Sequence, residues 1–313
     1  MPGLIYRHYR PVHYSPSSRS ALAEAELVYK DDHTSHSVYV TFDLDTNSHD
    51  SSVAFRNLVA DHTKVQLLVW TTTPWTLTAN MVRTFSNCAF IRSHAYAQGI
   101  AVHPDMTYAL IRTAELSNEG AGVLIVAQER LEALSKVIGT AELVAHIRGH
   151  STLCHFAAFP CSLSRIGSEL AGARYRPLFS SLAPDAASES LAVIASTHVT
   201  SDSGTGLVHC APAHGAEDYN LFKEEGLISS TSCIVCHVGE GGLFTNEVTH
   251  VVGKEAGQRL VGHPVLDNGS RTIVDHLKNM KRLLKIERFK HRYPYDWKTD
   301  KPIIVTYVQI FTR

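Results

Sequence analysis

Apolar residues in this chain come in short runs. VQLLVW (65–70) and GVLIVA (122–127) are six residues each, the length of a strand buried on both faces. No apolar run reaches 18 residues, so no membrane-spanning helix is expected. TYALIR (107–112), ELVAHIR and LAVIAST read as further strands. Between strands, AQERLEALSKVI (127–138) spaces Leu131, Leu134, Val137 and Ile138 along one helical face. SRTIVDHLKNMKRLLKIE (270–287) is predicted as a longer helix. Its stripe is Ile273, Val274, Leu277, Met280, Leu283 and Leu284, and Ser270 is its cap. Residues 26–43 are predicted as a hairpin, with LVYK and SVYVTFDL flanking a polar turn, DDHTSH. The interleaving gives a mixed α/β chain, and its 313 residues allow two domains or one large one.

Charge narrows the function classes. The chain has 29 Lys and Arg against 30 Asp and Glu, which excludes a uniformly basic nucleic-acid coat. One segment departs from this balance. Residues 278–301 hold nine Lys/Arg and three Asp/Glu, either a solvated helix face or a ridge that meets phosphates. Six cysteines in a chain this long are no disulfide framework and point to a reducing compartment. The opening MPGLIYRHYRPVHYS lacks the apolar stretch of a secretory signal. CIVCH (233–237) has the spacing of covalent haem attachment, and Cys233 and Cys236 could form half a zinc site. No second CxxC follows, and no metal is expected.

Two segments could carry chemistry. In WTTTPWTLTAN (70–80), three threonines end a buried strand and meet Pro74, which can open a short helix. Hydroxyls and free backbone N–H groups there can hold a polar ligand or a water. By spacing alone the segment is equally a strand end. A threonine nucleophile of the N-terminal type is excluded, since these residues carry no free α-amine. In GTGLVHCAPAHGAEDY (204–219), two glycines, a short strand and a loop gather His209, His214, Glu217 and Asp218. Such a group can bind an amine, position water or bind metal. It is not GxGxxG, so dinucleotide binding is unsupported.

Together these two segments resemble the editing insertion of isoleucyl-tRNA synthetases. The flanks agree: RPVHYSPSSRSALAEAELVYKDDHTSHSVYV resembles the lead-in from the synthetic core, and RYPYDWKTDKPIIV the return to it. The resemblance covers most of residues 3–305. It implies a β-barrel-like editing core with surrounding helices, joined by arms to a Rossmann catalytic core absent from this chain. The arms are placed at 1–43 and 231–313, and the editing domain at 44–230. The implied activity is hydrolysis of Val-tRNA(Ile), with the acceptor end of tRNA(Ile) and the rest of the synthetase as partners. Asp218 resembles the aspartate that captures the free α-amino group, and His209 the histidine that lines the side-chain sub-pocket. Thr71, Thr72 and Thr73 resemble the peptide cradling the ester and terminal adenosine, supported by Trp75 and Asn80. Water would attack, with no metal or other cofactor. ATP and Mg belong to the absent core, since neither a HIGH-like tetrad nor a KMSKS-like loop is found. The bacterial and mitochondrial form of the return arm implies the mitochondrial matrix, with the cytoplasm as the alternative.

Some positions depart from the family. Thr78 stands where it usually has Pro, and Cys210 where it has Thr or Gln. Residues 82–98 and 149–167 have no family counterpart. The first begins with Val and ends with Gln, as GT…CAG would read when translated, so both suggest retained intron sequence, with natural insertion as the alternative. TYVQIFTR at the end also drifts from the family. Two other classes compete: an inactive tRNA-binding module or misassembled gene fragment, and a metal-dependent hydrolase using the 19 histidines.

Overall fold

The computed structural model describes residues 6–46, 53–79, 99–113, 122–139, 141–147, 169–182, 190–228, 234 and 236–312. Both unmatched stretches, 82–98 and 149–167, lie outside these residues, as does Asn80.

The strands are β1 (Tyr6–Ser15), β2 (Ser20–Ala21), β3 (Leu27–Asp45), β4 (Lys64–Thr71), β5 (Gly99–Val102), β6 (Tyr108–Thr113) and β7 (Gly122–Ala127). They continue as β8 (Ala141–Ile147), β9 (Arg174–Tyr175), β10 (Leu191–Ala195), β11 (Leu207–Cys210), β12 (Leu283–Asp296) and β13 (Ile304–Thr312). The helices are α1 (Val53–Val59), α2 (Leu131–Ile138), α3 (Ala216–Glu224), α4 (Thr249–Val252), α5 (Lys254–Gln258) and α6 (Ser270–Asn279). The predicted strands at 65–70, 107–112 and 122–127 and the helix within 127–138 are present.

Among the described residues, a mixed sheet of ten strands runs β11-β5-β10-β9-β3-β4-β7-β6-β8, with β12 paired to β3. It curls until β11 packs across β4. The seam is hydrogen-bonded: Ala127 N–H donates to Thr205 O (2.8 Å), and the Tyr108 hydroxyl to Gly206 O (2.9 Å). Gly206 has φ +76°, and a Cβ there would sit 2.2 Å from Ala127 Cβ, so the seam requires glycine. The result is the expected barrel-like core with surrounding helices.

Alternation decides what lies inside. Val38, Val40, Phe42 and Leu44 of β3 share an interior with Val65, Leu67 and Val69 of β4 and Leu207 of β11. The opposite faces need cover because these strands are apolar on both sides. Helix α2 lays Leu134 and Ile138 over Tyr39, Leu68, Ile111 and Leu124. Helix α3 lays Leu221 and Phe222 over Ala101, Ile194 and Cys210.

Two sequence expectations are corrected. Residues 26–43 form no hairpin: DDHTSH runs straight through the 19-residue strand β3, whose partner is β12. DDHTSH has no glycine or asparagine for a tight turn, and its polar groups are met across the ribbon. His33 stacks on Tyr293 (4.2 Å between ring centres) and its Nδ1 lies 2.8 Å from the Tyr295 hydroxyl, while Ser35 Oγ meets His291 Nε2 at 2.9 Å. The helix predicted over 270–287 ends at Asn279. Lys281 takes φ +54°, with Lys281 N–H donating to Lys278 O and Arg282 N–H to Leu277 O, a Schellman termination without its usual glycine. Leu283 and Leu284 then pack into different cores, as successive strand residues do. Ser270 is not the cap but the first helical residue; its hydroxyl donates to Val265 O (2.6 Å). The basic segment is therefore mostly a strand rather than a helix face.

β1 pairs along its length with β13, so the two arms form one ribbon. Asp296 ties its base to the body. This buried carboxylate accepts from Ser15 Oγ (2.7 Å), Thr299 Oγ1 (2.9 Å), Ser18 Oγ (2.9 Å) and Lys298 N–H (2.9 Å). Burial alone would raise its pKa, but these donors bring it down to about 2.

Candidate functional site

The threonine peptide starts at the end of β4. Pro74 opens a 3-10 turn over Pro74–Ala79, as its fixed φ favours. The hydroxyls clamp the turn. Thr71 Oγ1 accepts from Thr73 N–H (3.1 Å), Thr76 Oγ1 donates to Thr73 O (2.9 Å), and Thr78 Oγ1 to Trp75 O (2.9 Å). Thr71, Thr72 and Thr73 stay half-buried. Thr72 and Thr73 open on a cavity of about 210 Å³ that also receives His33, Tyr293 and Arg271. Trp75 is buried beside it.

In the second motif, β11 alternates as a strand must. Leu207 and His209 turn inward, and Cys210 turns to α3. His209 stacks on Phe42 with 6.3 Å between ring centres and 18° between planes. Burial, and then the neighbouring His214, lower its pKa to about 4. His214 is also held near 4 by burial, although its Nδ1–H donates to Val305 O (3.0 Å). Both rings are thus uncharged at neutral pH. His214 meets the edge of Trp75 at 4.6 Å, and this aromatic contact joins the two motifs.

Asp218 lies on the other side of β11, in the first turn of α3. Its Oδ2 accepts from Ala211 N–H (2.8 Å), which folds the APAHG loop back onto the helix. Gly215 makes room for this, since a Cβ there would lie 2.7 Å from that oxygen. Burial raises the Asp218 pKa, with the Ala211 N–H and then His198 pulling the other way. A carboxyl so perturbed at a helix N-terminus is a functional candidate. Glu217, by contrast, is exposed.

The structure therefore gathers Thr72, Thr73 and Trp75 around one cavity, sets His214 against Trp75 and His209 against Phe42 in the interior, and places Asp218 behind β11. Sequence reasoning did not single out His198, Ser196 or the ribbon residues His33 and Tyr293. The strand alternation around His33 could have flagged the ribbon; His198 sits in an irregular turn with no local pattern. Cys236 contacts Thr306 Oγ1 (3.4 Å), and Cys233 lies outside the described residues.

No family model matches the chain. Curated relatives do. The isoleucine–tRNA ligase of a Synechococcus strain is 38% identical over 305 residues, which is 97% of this chain and 25% of that protein. The probable mitochondrial isoleucine–tRNA ligase of Dictyostelium discoideum is 34% identical over 310 residues, again 97% of this chain and 25% of the relative. Among solved structures, the GlLeuRS-CP1 crystal structure overlaps 80% of this chain and 98% of its own at a TM-score of 0.49 and 16% identity, too loosely for residues to be matched. The chain is a homologue of the isoleucine–tRNA ligases that spans about a quarter of their length.

Proposed function

We propose that this chain is the editing segment of such a ligase and hydrolyses valine wrongly esterified to tRNA(Ile). The observation that carries this is the pair of motifs 70–80 and 204–219 in a chain homologous to these ligases throughout, meeting through Trp75 and His214. A hydrophobic pocket rejects a side chain one methylene short by only about 1–3 kcal/mol, a limit for which the isoleucine enzyme is itself the standard illustration. A second pocket that admits valine and excludes isoleucine removes the error.

The residues divide the work. Thr71, Thr72 and Thr73 cradle the ester and the terminal adenosine, with Thr72 and Thr73 opening on the cavity. His209, uncharged and packed on Phe42, lines the side-chain pocket, where a neutral ring suits an aliphatic group. Asp218, which packs against the end of β11 through the Ala211 N–H, takes the α-ammonium through a charge-assisted bond. Trp75 supports the threonine peptide. Water attacks the ester carbonyl, and valine and free tRNA leave without a covalent intermediate. The relatives include bacterial and mitochondrial enzymes, and the return-arm sequence favours the mitochondrial matrix; fractionation of the source cells checks this.

The test is deacylation by the purified chain. Val-tRNA(Ile) should turn over while Ile-tRNA(Ile) is spared. Equal, slow loss of both esters with and without protein would reduce the chain to a tRNA-binding module.

A further inference from the structure

Behind β11 lies a cluster of which the proposed hydrolysis uses only Asp218. His198, Cys210 and Asp218 bring an imidazole nitrogen, a thiol and a carboxylate oxygen within 4.8 Å of one another. They come from the turn after β10, the end of β11 and the first turn of α3, so the sheet and its covering helix hold them together. We propose that these three side chains form a binding site for a divalent metal of zinc type.

Four features support it. First, Asp218 Oδ2 is fixed by Ala211 N–H, its Oδ1 lies 3.8 Å from His198 Nε2, and the carboxylate shares a hydrogen bond with the Cys210 thiol, whose proton a metal would replace. Ligands on a tetrahedral zinc, bound at about 2.0–2.3 Å, stand roughly 3.3–3.6 Å apart, so this pair needs only a small closure and no pair of the three is further than 4.8 Å. Second, His198 Nε2 is a buried nitrogen with no hydrogen-bond partner among the described residues. Its other nitrogen meets Ser196 Oγ at 2.7 Å. With Nδ1–H donating to that hydroxyl, Nε2 carries the lone pair, the arrangement that orients metal-bound histidines. Third, the charges balance: a thiolate, a carboxylate and a neutral imidazole neutralise M²⁺, and the sulfur selects zinc over magnesium or calcium. Fourth, the His198 and Asp218 side chains are 19% and 17% exposed, so the cluster lies close to the surface.

Binding forms an S–M bond and breaks the S–H bond of Cys210, whose proton passes to solvent. Burial, with Asp218 nearby, keeps that thiol protonated while no metal is bound. The site does not rest on the editing reading, although a metal on Asp218 would compete with an ammonium there.

Cobalt(II) titration of metal-free protein, without tRNA, tests it. One equivalent should bind with a sulfur-to-cobalt charge-transfer band and tetrahedral visible absorption, both abolished by zinc. Cys210→Thr and His198→Gln should each remove the charge-transfer band or weaken binding by at least about 100-fold. Ser196→Ala should weaken it by about tenfold. Cys236→Ser should leave the spectrum unchanged, and circular dichroism confirms that each variant is folded. If Cys210→Thr does not fold, His198→Gln decides, since that residue is partly exposed. Absence of tetrahedral binding, a band that survives Cys210→Thr or His198→Gln, or one lost with Cys236→Ser would overturn the site.

Discussion

The two sides of strand β11 solve opposite problems with adjacent residues. His209 faces the interior, stacked on Phe42, where burial and then the neighbouring His214 keep the ring uncharged. One residue on, Cys210 faces a polar nest of Asp218, His198 and Ser196 under α3. The first side is built for fit and the second for charge. The lesson is that a single strand can separate a steric function from an electrostatic one by alternation alone. Stability and activity should then respond to different substitutions.

Phe42→Ala should show the largest effect on the interior side. It removes a fully buried ring beneath His209, and about 3–5 kcal/mol of stability should go with it, read by denaturant unfolding. Asp218→Asn should do the reverse. It keeps an acceptor for Ala211 N–H but not the charge, so deacylation should fall by roughly 100-fold, the worth of about one charged hydrogen bond. Melting temperature should hold or rise. The sign follows from burial: the folded-state pKa of Asp218 is raised, so its ionised form costs stability at neutral pH. For the same reason, deacylation should decline on acidification above the ordinary carboxylate range.

Acid should find the interior next. His209 and His214 titrate near 4 in the fold against 6.5 in the unfolded chain. The unfolded state therefore binds protons first, and stability should be intact above about pH 6.5. Each imidazole should then remove up to about 1.4 kcal/mol per pH unit as pH falls towards 4. Unfolding at stepped pH checks this, and His214→Phe should flatten the slope. The smallest effect is expected at the turn between the two sides. Thr71→Val removes the acceptor for Thr73 N–H and should cost about 1 kcal/mol, with a larger loss in deacylation if this peptide holds the ester.

Much of the barrel was legible because its signals are local. VQLLVW, GVLIVA and the face Leu131, Leu134, Ile138 state their period within a few residues. The failures are non-local. DDHTSH reads as a turn until β12, about 250 residues further on, supplies partners for His33 and Ser35. Helix α6 stops at Lys281, which takes a left-handed conformation with no glycine to announce it. Leu283 and Leu284 then continue a helical spacing by coincidence. At the site, the candidate residues came from motif resemblance rather than from spacing. His198 was invisible because its partners, Cys210 and Asp218, are brought to it only by the packing of α3 on the sheet.

The central claim, that Asp218 holds the α-ammonium of a misacylated valine, is tested most directly by changing the substrate and the residue together. Deacylation of Val-tRNA(Ile) and of its α-hydroxy analogue, which lacks the ammonium, should be compared for the unmodified chain and Asp218→Asn. The account predicts roughly a 100-fold loss on the valyl ester and little or none on the hydroxy ester. An equal loss on both would contradict it, and would leave Asp218 as a support of the APAHG loop alone.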